Sequence, residues 1–294
     1  MTQTVLQAAL GRTKQVAALR EGRIGSDLLR LEFADLPVIN RAFAPMVRTL
    51  AYDVSEMAIA TFLQAKASGV PLVLLPVTMA ARFQQGALLC RTGSDIAGPA
   101  DLAGRRIGVR AYSQTTAMWL RGILLDEFGV RPEGIAWTTF EDAHVANIVD
   151  PPWAARAPEG AGMMAMLQEG VLDAVIVGND LPDDPGLRTV FADPAAAADT
   201  FWNRHGFVPV NHLVTMRRDV LERRPELAAE LVRLFRAAKA ELALPADGRD
   251  PLPSGREALR PAVALALRYC TGQGMLPRLL DPEDVWDGLP PEVE

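Results

Sequence analysis

Two short stretches of this sequence bring hydroxyls together in a pattern that suits an anion. The first, Tyr112-Ser113-Gln114-Thr115-Thr116, follows the apolar run Ile107-Gly108-Val109. It precedes apolar residues at helical spacing (Met118, Trp119, Ile123, Leu124, Phe128) that end at Gly129. A strand entering a helix through such a turn leaves the first backbone N–H groups of the helix without intrahelical partners. Those donors, the helix dipole and the hydroxyls suit a carboxylate or another small anion. The same residues also fit a plainer role in which Ser113 or Thr115 only caps the helix, and both readings stand. The second stretch, Tyr52–Met57 (YDVSEM), repeats the arrangement: a strand end, then Ser55 and Glu56, then a helix over Ile59–Ala67. Glu56 suits a ligand hydroxyl or amine, or the dipole of its own helix.

Other reactive side chains are few. His144, His205 and His212 form no HExxH-like or other tight ligand motif, and Cys90 and Cys270 stand in no metal or redox spacing. No cofactor or metal is implied, and metal-independent chemistry is predicted. The cysteines and the Met163, Met164, Met166 cluster read as packed side chains. With 294 residues, 49% of them hydrophobic, the chain can build one large or two medium domains around a sizeable core. A formal charge of −6 without basic clusters argues against nucleic acid as a partner. No apolar run approaches the eighteen residues of a membrane span. The N-terminal segment Thr2–Leu10 runs straight into Gly11, Arg12 and Lys14 and lacks the organisation of a secretory signal, so a cytoplasmic location is expected.

Short apolar strands alternating with helices predict an α/β fold with a largely parallel sheet. Strands are expected at Val5–Leu10, Leu28–Phe33, Pro71–Pro76, Ala87–Cys90, Ile135–Thr138, Asp173–Val177 and Val210–Met216. Helices are expected at Thr13–Glu21, Asn40–Leu50, Met163–Gln168, Ala195–Asn203, Arg218–Arg223, Pro225–Leu242 and Glu257–Thr271. The Pro-rich stretch Asp150–Gly160 reads as an exposed excursion, and Asp180–Gly186 as a loop.

The runs DVSEM, PLVLLPV, DLAGRRIGV, YSQTTAMWLRGILLDEFGV, NHLVTMRRDVLERRPELA and GMLPRLLDPEDVW, in this order and spacing, resemble the 4,5-dihydroxyphthalate decarboxylase family. The similarity extends from about Asp53 to about Trp286. It implies the type II periplasmic-binding-protein-like fold: two α/β lobes, residues 1–90 with 211–294 and residues 91–210, and a ligand cleft where DVSEM faces YSQTT. Open α/β sheets place ligands off the carboxyl ends of their strands. One segment departs from the family, which usually carries an Arg and then an Arg-His pair after the PV strand. Here the segment reads TMAARFQQG, with Gln84 and Gln85 where the basic pair is expected and Arg82 displaced by one place. Glutamine hydrogen-bonds a neutral or monoanionic ligand but supplies no charge to a second carboxylate.

Decarboxylation of an aromatic acid needs a grip on the carboxylate, a proton donor at the departing carbon and stabilisation of the charge left in the ring. The resemblance implies Tyr112, Ser113, Thr115 and Thr116 for the grip and Arg82 as the cationic anchor, with Ser55, Glu56, Gln85 and Asn211 as further binding residues. His212, in the second crossover strand, suits a general acid or a buried hinge histidine bonded to backbone. Glu56, Arg82 and His212 are the candidate catalytic residues. Arg121 is expected to pair with a neighbour such as Asp126, and His205 to be structural. Two functions follow from the resemblance: a cytoplasmic carbon–carbon lyase acting on a small, aromatic carboxylate, or a non-catalytic substrate-binding protein of an ABC-type uptake system for a small organic anion. A ligand-sensing domain ranks last, since no DNA-binding segment is present. A homo-oligomer is open.

Overall fold

The computed structural model describes residues 3–178 and 181–293. Thr2 of the N-terminal segment and Asp180 of the expected loop lie outside these residues. The chain begins with β1 (Thr4–Ala9), α1 (Lys14–Arg20), β2 (Leu29–Phe33), α2 (Phe43–Thr49), β3 (Val54–Ala58), α3 (Ile59–Ala67) and β4 (Leu72–Ala81). It continues through β5 (Leu88–Arg91), β6 (Arg106–Val109), α4 (Thr115–Phe128), β7 (Ala136–Thr139), β8 (Ala154–Arg156), α5 (Met163–Gln168), β9 (Ala174–Ile176), β10 (Leu187–Thr189) and α6 (Pro194–His205). It returns through β11 (Val210–Arg217) to α7 (Arg218–Arg223), α8 (Glu226–Ala240) and α9 (Arg256–Gly272).

Two sheets organise these elements. The first has the order β2-β1-β3-β11-β4 and the second β10-β5-β9-β6-β7-β8. The chain crosses from the first to the second between β4 and β5 and comes back through α6 into β11. The second sheet therefore begins at Leu88, three residues before the division after Cys90 expected from the sequence. Both sheets are mixed rather than largely parallel. β11 runs antiparallel to β3 and β4, and β5 antiparallel to β9 and β10. A return strand entering from the opposite lobe arrives in the opposite direction, which composition cannot foretell.

Two local differences have clear causes. Pro76 does not close its strand, which continues to Ala81. β4 is an edge strand, and its register against β11 shifts between Leu75↔Val214 and Thr78↔Leu213, so the proline falls at an irregularity where a ladder N–H is dispensable. In Asp150–Gly160 the segment Ala154–Arg156 pairs with β7 as β8, so this stretch is partly a sheet edge.

The core lies between each sheet and its helices. α8 turns Leu227, Leu231, Leu234, Phe235 and Ala238 inward at helical spacing, against α1 and the first sheet. α4 is buried on nearly every side, Thr115 to Leu124 all being enclosed, because α3 and α9 both pack against it. The α4–α9 approach is close enough that a Cβ on Gly122 would lie 2.2 Å from the Tyr269 ring. Trp119 Nε1 donates to the Val210 carbonyl at 2.8 Å and so ties α4 to the start of β11. Gly129 closes α4 in the left-handed conformation (φ 68°), as its position after the last apolar residue predicts. Among the described residues no helix is long and apolar enough to cross a membrane.

Candidate functional site

The two helix starts meet, but only one follows a turn: β3 runs straight into α3 with Ser55 and Glu56 inside the strand, whereas residues 110–114 separate β6 from α4. β3 delivers α3 with Ala58 at its N-cap, and the turn after β6 delivers α4 with Gln114 at its N-cap; neither helix has a side-chain cap. The capping role open to Ser113 and Thr115 is therefore not taken. Instead the Thr115 hydroxyl accepts from the Ala60 backbone N–H of the facing helix at 3.4 Å, bringing the two positive helix ends together. Beside them Arg82, at the end of β4, donates to the Thr116 hydroxyl at 3.0 Å. No carboxylate pairs with Arg82 among the described residues. Burial lowers its pKa with no opposing charge to offset the effect, yet a guanidinium stays protonated in a protein. Two helix N-termini, a threonine hydroxyl and an uncompensated cation make a strong local preference for an anion.

The opposite side carries a carboxylate–imidazole pair. Glu56 on β3 is 2% exposed, and its Oε1 lies 2.6 Å from Nδ1 of His212 on β11. Its Oε2 accepts from the Gly11 backbone N–H at 2.9 Å. A Cβ at Gly11 would sit 2.9 Å from that same oxygen, so a larger residue there would push the carboxylate aside. With both carboxylate oxygens accepting, Nδ1 of His212 carries a hydrogen and Nε2 is left open. The dyad spans 156 residues of sequence and exists only because β11 inserts beside β3.

A second imidazole lies close by. His144, in the loop after β7, places Nδ1 2.9 Å from the Thr61 hydroxyl in the first turn of α3. Phe43 lies between the histidines, in edge contact with His144 at 5.5 Å and with His212 at 5.2 Å. Arg48 fixes the loop by donating to the carbonyls of Ala143 and His144. Burial first, and then the positive Arg110 and Arg48, push the His144 pKa down to about 4, so it is neutral at physiological pH.

Of the remaining residues implied for the site, some face it and some do not. Asn211 precedes His212, and its Oδ1 accepts from Gln84 Nε2 at 2.8 Å, which leaves its own amide N–H groups free of protein partners among the described residues. Gln84 also donates to the Arg82 carbonyl, and Gln85 is fully buried with Nε2 on the Ala197 carbonyl and Oε1 on the Gln84 N–H. Gln85 is thus spent on the chain crossing, while Gln84 keeps a buried Oε1 with no partner among the described residues. Ser55 is fully buried and donates to the Glu56 carbonyl, on the strand face opposite the dyad. Tyr112 is core: its hydroxyl donates to the Gln273 carbonyl and accepts from Trp153 Nε1, and the Arg121 guanidinium lies 3.9 Å over its ring. Ser113 is buried in the turn.

Arg121 does not pair with Asp126, which binds Arg268 and the Tyr269 hydroxyl instead. It donates to Gln273 Oε1 and the Tyr112 carbonyl and braces the turn from behind. His205 packs against Phe201 and Phe207, in keeping with a structural role. Sequence reasoning passed over His144, Thr61, Phe43 and Gly11. The available signal for His144 was its place in a polar loop at the carboxyl end of a strand. Among the described residues no group of three or more His, Cys, Asp or Glu gathers as a metal would need.

No family model matches the chain. It is 29% identical over 253 residues to a 4,5-dihydroxyphthalate decarboxylase of Comamonas testosteroni, covering 82% of this chain and 76% of that protein. A protein of the same name from Pseudomonas putida is 27% identical over 218 residues, covering 69% of this chain and 83% of its own. The resemblance read from the motifs is thus met along most of the chain. In structure, the periplasmic aliphatic sulphonate binding protein SsuA of Escherichia coli matches at a TM-score of 0.60 and 16% identity, over 97% of this chain and 98% of that one. A putative sulfonate-binding SsuA from Methylobacillus flagellatus matches at 0.56 and 13%, over 97% and 91%. These neighbours show the two-lobed α/β fold.

Proposed function

We propose that this protein is a carboxy-lyase that binds a small aromatic monocarboxylate between its lobes and releases carbon dioxide. The observation that carries the reading is the Glu56–His212 dyad, open at Nε2, across the site from the Arg82–Thr116 pair. Arg82, with the helix ends of α3 and α4, grips the carboxylate. Protonated His212 delivers its Nε2 proton to the ring carbon bearing that carboxylate, and the carbon–carbon bond then breaks. Its electron pair returns to the ring system as carbon dioxide leaves, and His212 regains a proton from solvent. The net change is uptake of one proton and loss of one carbon dioxide. Glu56 fixes the imidazole tautomer and supports its positive charge, the role a buried carboxylate plays behind other acid–base histidines.

The relatives named for 4,5-dihydroxyphthalate support the reaction class. The substrate differs here because the segment after β4 offers one cation, Arg82, while Gln84 and Gln85 are neutral and their amide N–H groups are engaged by protein. A single carboxylate is what this arrangement balances. The second reading, a binding protein for a small organic anion, is favoured by the fold of the sulphonate-binding neighbours and by the uncompensated Arg82. Incubation with hydroxybenzoates and hydroxyphthalates, with melting temperature and carbon dioxide followed together, separates the two. Stabilisation grows as RT ln(1 + [L]/Kd) for a ligand that binds only the folded state. Stabilisation by a monocarboxylate with carbon dioxide release that His212→Ala abolishes supports the lyase. Stabilisation without release by any substrate moves the reading to a binding protein.

A further inference from the structure

The grip and the proton donor leave one requirement of the reaction unassigned, a group to hold the charge that returns to the ring as carbon dioxide leaves. We infer that His144 is that group: a neutral imidazole whose Nε2–H donates to a substrate oxygen conjugated with the carboxylate-bearing carbon. The inference rests on the lyase reading above and adds a residue and a demand on the substrate to it.

The tautomer follows from Thr61. That hydroxyl is 1% exposed, and its one partner among the described residues is His144 Nδ1. If Nδ1–H donated to it, the hydroxyl hydrogen would be buried without an acceptor, which is unfavourable. Donation from Thr61 to Nδ1 satisfies both groups and places the ring hydrogen on Nε2, which has no protein partner among the described residues. Position agrees. His144 and His212 both contact Phe43, at 5.5 and 5.2 Å between ring centroids, so one aromatic side chain joins the two imidazoles. Arg48, Arg110 and His212 are the charged or titratable groups near His144, and none is a carboxylate that would favour its protonation. A neutral donor suits an oxygen that gains negative charge only during reaction, because it strengthens its bond in the transition state without clamping the ground state.

The step balances with a hydroxyl ortho or para to the carboxylate. As His212 protonates the ring carbon, the hydroxyl gives its proton to solvent and becomes an oxo group. Cleavage of the carbon–carbon bond sends the electron pair to that oxygen, which His144 Nε2–H holds until solvent reprotonates it.

Calorimetry with 2-hydroxybenzoate, 4-hydroxybenzoate and benzoate on the full chain reads the contact without requiring turnover. The wild type is expected to favour a hydroxylated ligand over benzoate by roughly five- to tenfold, the worth of one hydrogen bond. His144→Phe is expected to abolish that preference and leave benzoate affinity unchanged, and His144→Gln to restore part of it. Nitrogen-15 imidazole shifts in the unliganded protein are expected to show Nε2–H at His144 and a mixture of tautomers in Thr61→Val. A hydroxyl preference that persists in His144→Phe, or an Nδ1–H tautomer in the wild type, overturns the inference while the lyase reading stands. Failure of all three benzoates to bind removes the carboxylate site itself and both proposals with it.

Discussion

The two walls of the cleft each lead a strand into an uncapped helix, β3 directly into α3 and β6 through residues 110–114 into α4, and they are furnished differently. The wall from the first sheet carries the charge: Glu56 on β3, His212 on β11 and Arg82 at the end of β4. The wall from the second sheet brings neutral groups: the hydroxyls of Thr115 and Thr116 and the unprotonated His144. The second wall has a buried cation of its own in Arg121, but Gln273, the Tyr112 carbonyl and the Tyr112 ring occupy it. Two arginines thus end up with opposite uses. Arg121 holds a turn through Gln273 and the Tyr112 carbonyl, with Nη1 unpartnered among the described residues, while half-buried Arg82 has one hydroxyl and no carboxylate and is left to a ligand. Burying a cation is costly unless acceptors surround it. That cost is met only in part by protein around Arg121, and an anion would offset it at Arg82.

This contrast is open to test. The largest effect is expected at the charged wall, where His212→Ala lowers carbon dioxide release by about 10²–10⁴-fold while carboxylate affinity, measured calorimetrically, changes only a few-fold. An equal loss of affinity would mean that His212 binds rather than reacts. Next is acid stability, which tests the neutral wall. Burial, then Arg110 and Arg48, keep His144 neutral in the folded protein down to about pH 4, whereas its ordinary value is 6.5. The folded pKa is lowered, so its contribution is present in full above pH 6.5 and is lost as pH falls towards 4. It amounts to at most about 3 kcal/mol. Urea unfolding at pH 7 and pH 5 is expected to show a smaller acid loss in His144→Gln than in the wild type; identical losses would contradict a neutral His144.

Arg82→Gln is expected to weaken carboxylate binding by about 1.5–3 kcal/mol, roughly ten- to a hundredfold, the usual worth of a hydrogen bond to a charged group. The same change at Arg121 acts on folding instead, seen as a lowered melting temperature. The smallest effect is expected for Thr116→Val, about 1 kcal/mol of ligand affinity through loss of the hydroxyl that aims Arg82. Full affinity in that variant would show that Arg82 needs no aiming.

Much of this arrangement was legible in the sequence where it depends on neighbours along the chain. The apolar run at Ile107–Val109, the hydroxyl turn and the helix ended by Gly129 are local, and so are the strand and helix around Glu56. The meeting of these two segments followed from their common form together with the family resemblance. Features set by distant pairing were not legible. Pro76 reads as a strand end until β4 is known to be an edge strand with a shifted register. Gln85 reads as a ligand contact until α6 brings the Ala197 carbonyl to it. Tyr112 reads as part of a hydroxyl cluster until Gln273 and Trp153, far along the chain, take both sides of its hydroxyl. His144 carries no motif, and its significance comes from Thr61, 83 residues earlier.

The placement of β11 also bears on how the molecule is made. β3 and β4 leave the ribosome close together, yet in the finished sheet they never touch, because β11 fills the space between them. Until residues 210–217 emerge, each of those strands has an open edge facing its future partner, with Val54, Val73, Leu74 and Leu75 on strands that end fully buried. Long-range pairing of this kind is slow to form, and unpaired strand edges invite association with other chains. The N-terminal lobe therefore waits, unfinished, through synthesis of the whole second lobe, and the last strand to enter its sheet is the one that carries His212.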